Sequence, residues 1–125
     1  DVNLLYCLAI AFCIEHLRVG IVNTVCHLPN FPGNYRNHDA KDRSQNNILL
    51  GFLTLGFGWH NNHHAFPRVA QHGHQWWEID TTYWIIALME KTGLAWNVVH
   101  KTAATTVPTA IDIPGAEEPL LQNVA

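Results

Sequence analysis

Residues 58–67 read Gly58-Trp59-His60-Asn61-Asn62-His63-His64-Ala65-Phe66-Pro67. Wound as an α-helix, this stretch puts His60, His63 and His64 at i, i+3 and i+4, so three imidazoles leave one face together and can converge on a metal ion. A solvated polar helix start is the plainer alternative. It accounts well for a single histidine and poorly for three at this spacing, set between two apolar segments.

Upstream, Ile48 to Phe57 reads ILLGFLTLGF, too short to span a bilayer and expected to be a buried or interfacial helix leading into the histidines. Before it, residues 34–47 carry Arg36, Asp39, Lys41, Asp42 and Arg43 and are expected to form a solvated loop. Leu4 to Val22 is apolar except for Glu15, His16 and Arg18. At about 1.5 Å per residue that run can just cross a hydrocarbon core of about 30 Å, so a spanning helix is expected, closed by Pro29, Pro32 and Gly33. The three polar residues must then face a bundle, pair, or lie at an interface; a soluble amphipathic helix is the alternative. At the end of this helix Asn23 and His27 stand at i and i+4, where capping or a helix-dipole role would serve as well as ligation.

Downstream, His72, Gly73 and His74 lie in a polar segment, and Trp76 to Thr92 is expected to be a helix with Trp77, Trp84, Ile85, Leu88 and Met89 as its apolar stripe and Gly93 as its stop. Residues 101–125 are expected to be a flexible tail. The chain starts at Asp1 with no initiator Met and is expected to be cut from a larger protein. The apolar run has neither a basic n-region nor a cleavage site, so it is not expected to be a secretory signal.

Charged residues make up 14% and hydrophobic ones 48% of the chain, a balance that leans toward a membrane-associated or deeply buried polypeptide. The seven Lys and Arg residues form no basic stripe, which excludes a nucleic-acid partner. Three cysteines without CxxC spacing give no disulfide framework. Nine histidines against one Met are the anomaly. The HExxH pattern of zinc hydrolases is missing because Asn61 follows His60, and Cys26 is the only thiolate near His27. Imidazole suits iron, copper and nickel alike, so the metal stays open on ligand chemistry alone.

Three elements in this order, Asn23-Thr24-Val25-Cys26-His27, the pair Asn46-Asn47, and residues 58–67, resemble the membrane-bound fatty acyl-CoA desaturases, the histidine-box di-iron family. The resemblance continues through His72-Gly73, Trp76-Trp77-Glu78-Ile79-Asp80 and Gly93-Leu94-Ala95, covering roughly residues 20 to 98. It implies an all-α fold: part of a membrane helical bundle, with one transmembrane helix near residues 4–22, carrying a cytosolic helical cap near residues 34–98. Residues 1–100 would then be the C-terminal part of the desaturase domain. His27, His60, His63 and His64 would be ligands of two iron ions, Fe2+, with Asn23 contacting the site through water.

The implied activity is O2-dependent formation of a cis double bond, of the delta-9 type, in a long-chain fatty acyl substrate on CoA or another carrier. Its electron donor would be of the cytochrome b5 or ferredoxin type. The protein would be integral to the membrane, with the metal site on the cytoplasmic face. The family's two earlier boxes, an HxxxxH and an HxxHH, have no counterpart upstream of residues 58–67, so the isolated chain is expected to be inactive. Phe57 stands where relatives commonly carry Glu, a departure that bears on local contacts rather than on the ligands. Trp59 and the 48–57 segment are expected near the metals or the acyl chain. Arg36, Lys41, Arg43 and Arg68 are expected in exposed segments, as solvated groups or as contacts for a carrier's phosphates or an acidic donor. A histidine-rich membrane hydroxylase or alkane monooxygenase is the competing enzyme reading. A structural metal-binding or haem-binding membrane protein is the non-enzyme one.

Overall fold

The computed structural model describes residues 1–102; the segment 103–125, most of the expected tail, lies outside the described residues. Helix α1 runs Val2–His27, longer than expected at both ends. Asp1 caps it by accepting a hydrogen bond from the Asn3 N–H. Its end is set by Pro29, which favours an extended preceding residue, and Leu28 is extended. The last carbonyls find partners: Asn34 Nδ2 donates to Val25 and Leu28, and the Gln45 N–H donates to Cys26. Among the described residues α1 is the one helix long and apolar enough to cross a membrane.

The all-α expectation holds apart from one short pairing. Strand β1, Asn34–Tyr35, lies antiparallel to β2, Asn46–Asn47, with Asn34 opposite Asn47 and Tyr35 opposite Asn46. The polar stretch between residues 34 and 47 is therefore not simply a solvated loop. The Arg36 guanidinium closes it by donating to the carbonyls of His38, Ala40 and Asp42, and Ser44, Asn46 and Asn47 are buried.

Helix α2 covers Ile48–Leu53 and not the full ten residues expected. Asn47 caps its start by accepting from the Leu50 N–H. It stops because Thr54 Oγ1 donates back to the Leu50 carbonyl and the chain then turns through Leu55 and Gly56, both at positive φ. Helix α3 is His60–Ala65. Helix α4 is Thr81–Lys91 and not the whole of Trp76 to Thr92, because Asp80 caps it by accepting from the Tyr83 N–H and the preceding residues form a loop that leaves Trp76 exposed and buries Glu78 and Asp80. Gly93, at positive φ, stops it as expected.

Trp59 is the apolar centre. It is fully buried, its ring meets Phe52 and Trp77 edge-on, and its Nε1–H donates to the Ile79 carbonyl at 2.9 Å. A Cβ on Gly51 would overlap that ring, and one on Gly58 would overlap the Leu50–Gly51 backbone. Around Trp59 the core is polar. The Glu78 carboxylate accepts from the Tyr35 hydroxyl, Asn37 Nδ2, Asn62 Nδ2 and the N–H groups of His74 and Gln75. Burial, reinforced by that carboxylate, pushes the Tyr35 phenol upward, so it stays a donor.

Glu78→Gln would place an amide NH2 among these donors. Buried hydrogen bonds to a charged acceptor are worth about 1.5–3 kcal/mol each, so an unfolding loss of roughly 3 kcal/mol is expected. Denaturant unfolding of the full-length protein in detergent measures it; an unchanged midpoint would contradict the role given to Glu78.

Candidate metal centre

Helix α3 has no capping side chain of its own, since its N-cap is Trp59. The cap comes from β2: Asn46 Oδ1 accepts from the N–H groups of Asn61 and Asn62 at 2.9 and 3.2 Å. The side chains of those two asparagines then fix the helix from its other face. Asn61 Oδ1 accepts from the Asn37 and His38 N–H groups, and its Nδ2 donates to the His38 and Ser44 carbonyls. Asn62 Oδ1 accepts from Asn37 and Asn46, and its Nδ2 donates to Glu78 and to the His72 carbonyl. With Asn61 and Asn62 committed inward, His60 and His64 face the end of α1.

Ligating nitrogens of His27, His60 and His64 lie within 4.8 Å of one another. Their ring centroids are 5.2 Å apart for His27 and His60, 5.0 Å for His27 and His64, and 4.3 Å for His60 and His64. The Nε2 atoms of His60 and His64 are 2.9 Å apart. His64 Nδ1 donates to Asp42 Oδ2 at 2.5 Å, which holds its proton on Nδ1 and leaves the Nε2 lone pair facing the other rings. Burial opposes ionisation of Asp42, but hydrogen bonds from Ser44 and His64 outweigh it and hold its carboxyl below the usual range.

Burial, with His64, His27 and His63 nearby, lowers His60 to about 3. Burial, with His72 and His64, lowers His63 to about 4. Both are neutral at physiological pH, as a ligand must be. His60 Nδ1 and His63 Nδ1 are buried without a hydrogen-bond partner. Crowded neutral imidazoles with unpaired nitrogens fit a cation better than they fit one another, so the residues present suit a metal ion.

His63 does not join the trio. At about 100° per residue, His64 sits about 40° to one side of His60 and His63 about 60° to the other, so the outer rings diverge. His63 is 6.2 Å from His60 and 5.7 Å from His64 between centroids. Asn23 lies on the exposed face of α1, one turn before His27. Trp59 adjoins His60 but serves packing, and Arg36 ties its own loop. Sequence reasoning missed Asp42, Asn46 and Glu78, whose roles depend on long-range contacts. It also missed the His38 and His74 pair, with Nε2 and Nδ1 2.8 Å apart.

Comparison with known proteins bears on what the site belongs to. A family model described as fatty acid desaturase matches residues 2–100. An acyl-CoA 5-desaturase of Anemone leveillei is 48% identical over 86 residues, covering 65% of this chain and 26% of the relative. An sn-2 palmitoyl-lipid 9-desaturase of Nostoc sp. (strain 36) is 46% identical over 78 residues, covering 62% and 26%. An sn-1 stearoyl-lipid 9-desaturase of Anabaena variabilis is 52% identical over 64 residues, covering 51% and 24%. The chain thus spans about a quarter of the length of these relatives.

Asp42→Asn is expected to weaken metal binding about 10–100-fold, the usual cost of losing a carboxylate that orients a ligating histidine; competition titration of the full-length protein against a chelator checks it. Acid should destabilise the metal-free protein. His60, His63 and His74 are lowered from 6.5 to about 3, 4 and 4, chiefly by burial. The stability they contribute is complete above about pH 6.5 and is lost as the pH falls from there toward 4 and 3, because the unfolded chain takes up protons first. Thermal midpoints of chelator-treated protein should fall between about pH 7 and about pH 5; a flat profile would contradict the burial.

Proposed function

Because the chain belongs to the fatty acid desaturase family, we propose that it supplies the C-terminal part of a membrane enzyme that forms a cis double bond in a long-chain fatty acyl substrate. The observation that carries this reading is the meeting of His27, at the end of an apolar helix, with His60 and His64 on α3. His27, His60, His63 and His64 would hold two iron ions, with Asn23 contacting them through water. Donors outside these 125 residues complete the set, in keeping with the chain's share of its relatives' length.

The membrane setting is supported by α1, whose Leu4, Leu5, Leu8 and Phe12 are each more than half exposed, together with the family. Residues 1–100 form one unit in this reading, with α1 in the bilayer and residues 34–98 as a cap on the cytoplasmic side. The charges on α1 are handled locally, since Arg18 donates to Glu15 one turn earlier and lies over the Phe57 ring.

Two irons, when bound, supply the redox chemistry that lets O2 act as terminal oxidant. In the overall reaction two hydrogens leave adjacent methylenes, and with two electrons delivered one at a time by a cytochrome b5-type or ferredoxin-type donor and two protons from solvent they reduce O2 to two waters. The chain's residues serve that chemistry by position. Asp42 keeps His64 in one tautomer, Asn61 and Asn62 lock α3, and burial keeps His60 and His63 unprotonated. A rigid site lets placement of the acyl chain choose the bond that is oxidised. The relatives named as lipid 9-desaturases support insertion at C9 on an acyl-lipid carrier, and the acyl-CoA 5-desaturase supports CoA as the carrier.

The full-length protein, supplied with O2, reductant and saturated acyl substrates, is expected to yield a cis-9 alkene with no added hydroxyl, and His63→Ala to abolish the product and to lower iron loading. Gas chromatography with mass spectrometry reads the product. A hydroxylated chain would establish the monooxygenase reading in its place, and a Soret band in the purified protein would establish haem.

A further inference from the structure

His63 turns away from its helix neighbours toward His72, in the loop ahead of α4. Their ring centroids are 4.6 Å apart and the planes 38° from parallel, within the 4.3 to 5.2 Å range of the trio. Two imidazoles sharing one cation, each nitrogen about 2.0–2.1 Å from it, place their ring centres roughly 4.5–5 Å apart. His72 is held there from both sides: its carbonyl accepts from Asn62 Nδ2 at 2.8 Å and its N–H donates to Asp80 Oδ2 at 2.6 Å. Asn62 and Asp80 are both buried. The same asparagine that fixes the histidine helix thus fixes the backbone of His72. His63 Nδ1 is buried with no hydrogen-bond partner.

We propose that His72 is a further metal-binding residue, offering with His63 two imidazoles to a second cation, while His27, His60 and His64 serve the first. The assignment rests on the metal-centre reading above and adds a donor to it. One asparagine side chain then couples the two halves of the site, since it anchors the helix of His60, His63 and His64 and the loop of His72 together.

The test uses the full-length protein loaded with Mössbauer-active iron. The unsubstituted protein is expected to hold about two irons per chain. His72→Ala and His72→Phe, the latter keeping a flat ring without a donor nitrogen, should each lower this about two-fold and remove one of the two iron signals. His63→Ala should do the same, and the His63→Ala, His72→Ala double variant should lose no more. Full iron and unchanged spectra in His72→Phe would show that the ring only packs, and would overturn the proposal while leaving the metal centre standing. No iron in the unsubstituted protein would overturn both. Should the His72 variants aggregate, added imidazole decides with His72→Ala: recovery of a monodisperse protein with the second iron signal supports the assignment, and no recovery overturns it.

Discussion

The hydrogen bonds of Asn61 and Asn62 are the constraint on which the rest of the site depends. A six-residue helix has too few internal bonds to hold its own orientation. Helix α3 is oriented by Asn46 at its N-terminus and by Asn61 and Asn62 gripping the 36–44 loop, Glu78 and the His72 carbonyl. Each bond is directional, so the helix can neither rotate nor slide without leaving buried amides unpaired. The histidines are aimed by the residues between them.

That polar core explains why the chain inverts the usual distribution of side chains. Among the described residues Trp59, Val22, Cys26 and Val69 are the buried apolar groups, whereas asparagines, Glu78 and Asp80 fill the interior. The apolar residues lie outside, along α1 and on Trp84, Ile85 and Leu88 of α4. In water this would be unfavourable, because exposed apolar area on this scale has nothing to drive it inward. Beside a bilayer, with the remaining helices of a longer relative, the same distribution is consistent: lipid would cover the helices, and hydrogen bonds rather than apolar burial hold the part that carries the clustered histidines.

Local periodicity made the helices and the shared face of His60, His63 and His64 legible in the sequence, and i, i+4 spacing put His27 at the same helix end as Asn23. The elements that went astray did so for one reason. Ile48 to Phe57 and Trp76 to Thr92 are apolar enough to be continuous helices, but side chains distant in sequence or turn chemistry cut them short: Thr54 with Leu55 and Gly56 in the first, Glu78 and Asp80 in the second. Likewise the 34–47 stretch looks solvated by composition, and only its bonds to Asn61 and Asn62 bury it. No pattern within one segment could show Asn46 capping a helix that begins fourteen residues later in sequence.

The divergence of His63 from His64 follows from helix geometry rather than from packing. Residues at i+3 and i+4 lie on either side of residue i, about 100° apart, so one turn cannot aim three rings at one point. It aims them at two. His64 swings toward His27 and Asp42, His63 toward His72, and His60 stands between, with a ring within 6.2 Å of both. An i, i+3, i+4 triplet on a short helix is therefore suited to bridging two neighbouring cations. A single site would be better served by two histidines at i and i+4, so the middle histidine of this box, redundant for one ion, fits the two-ion reading proposed above.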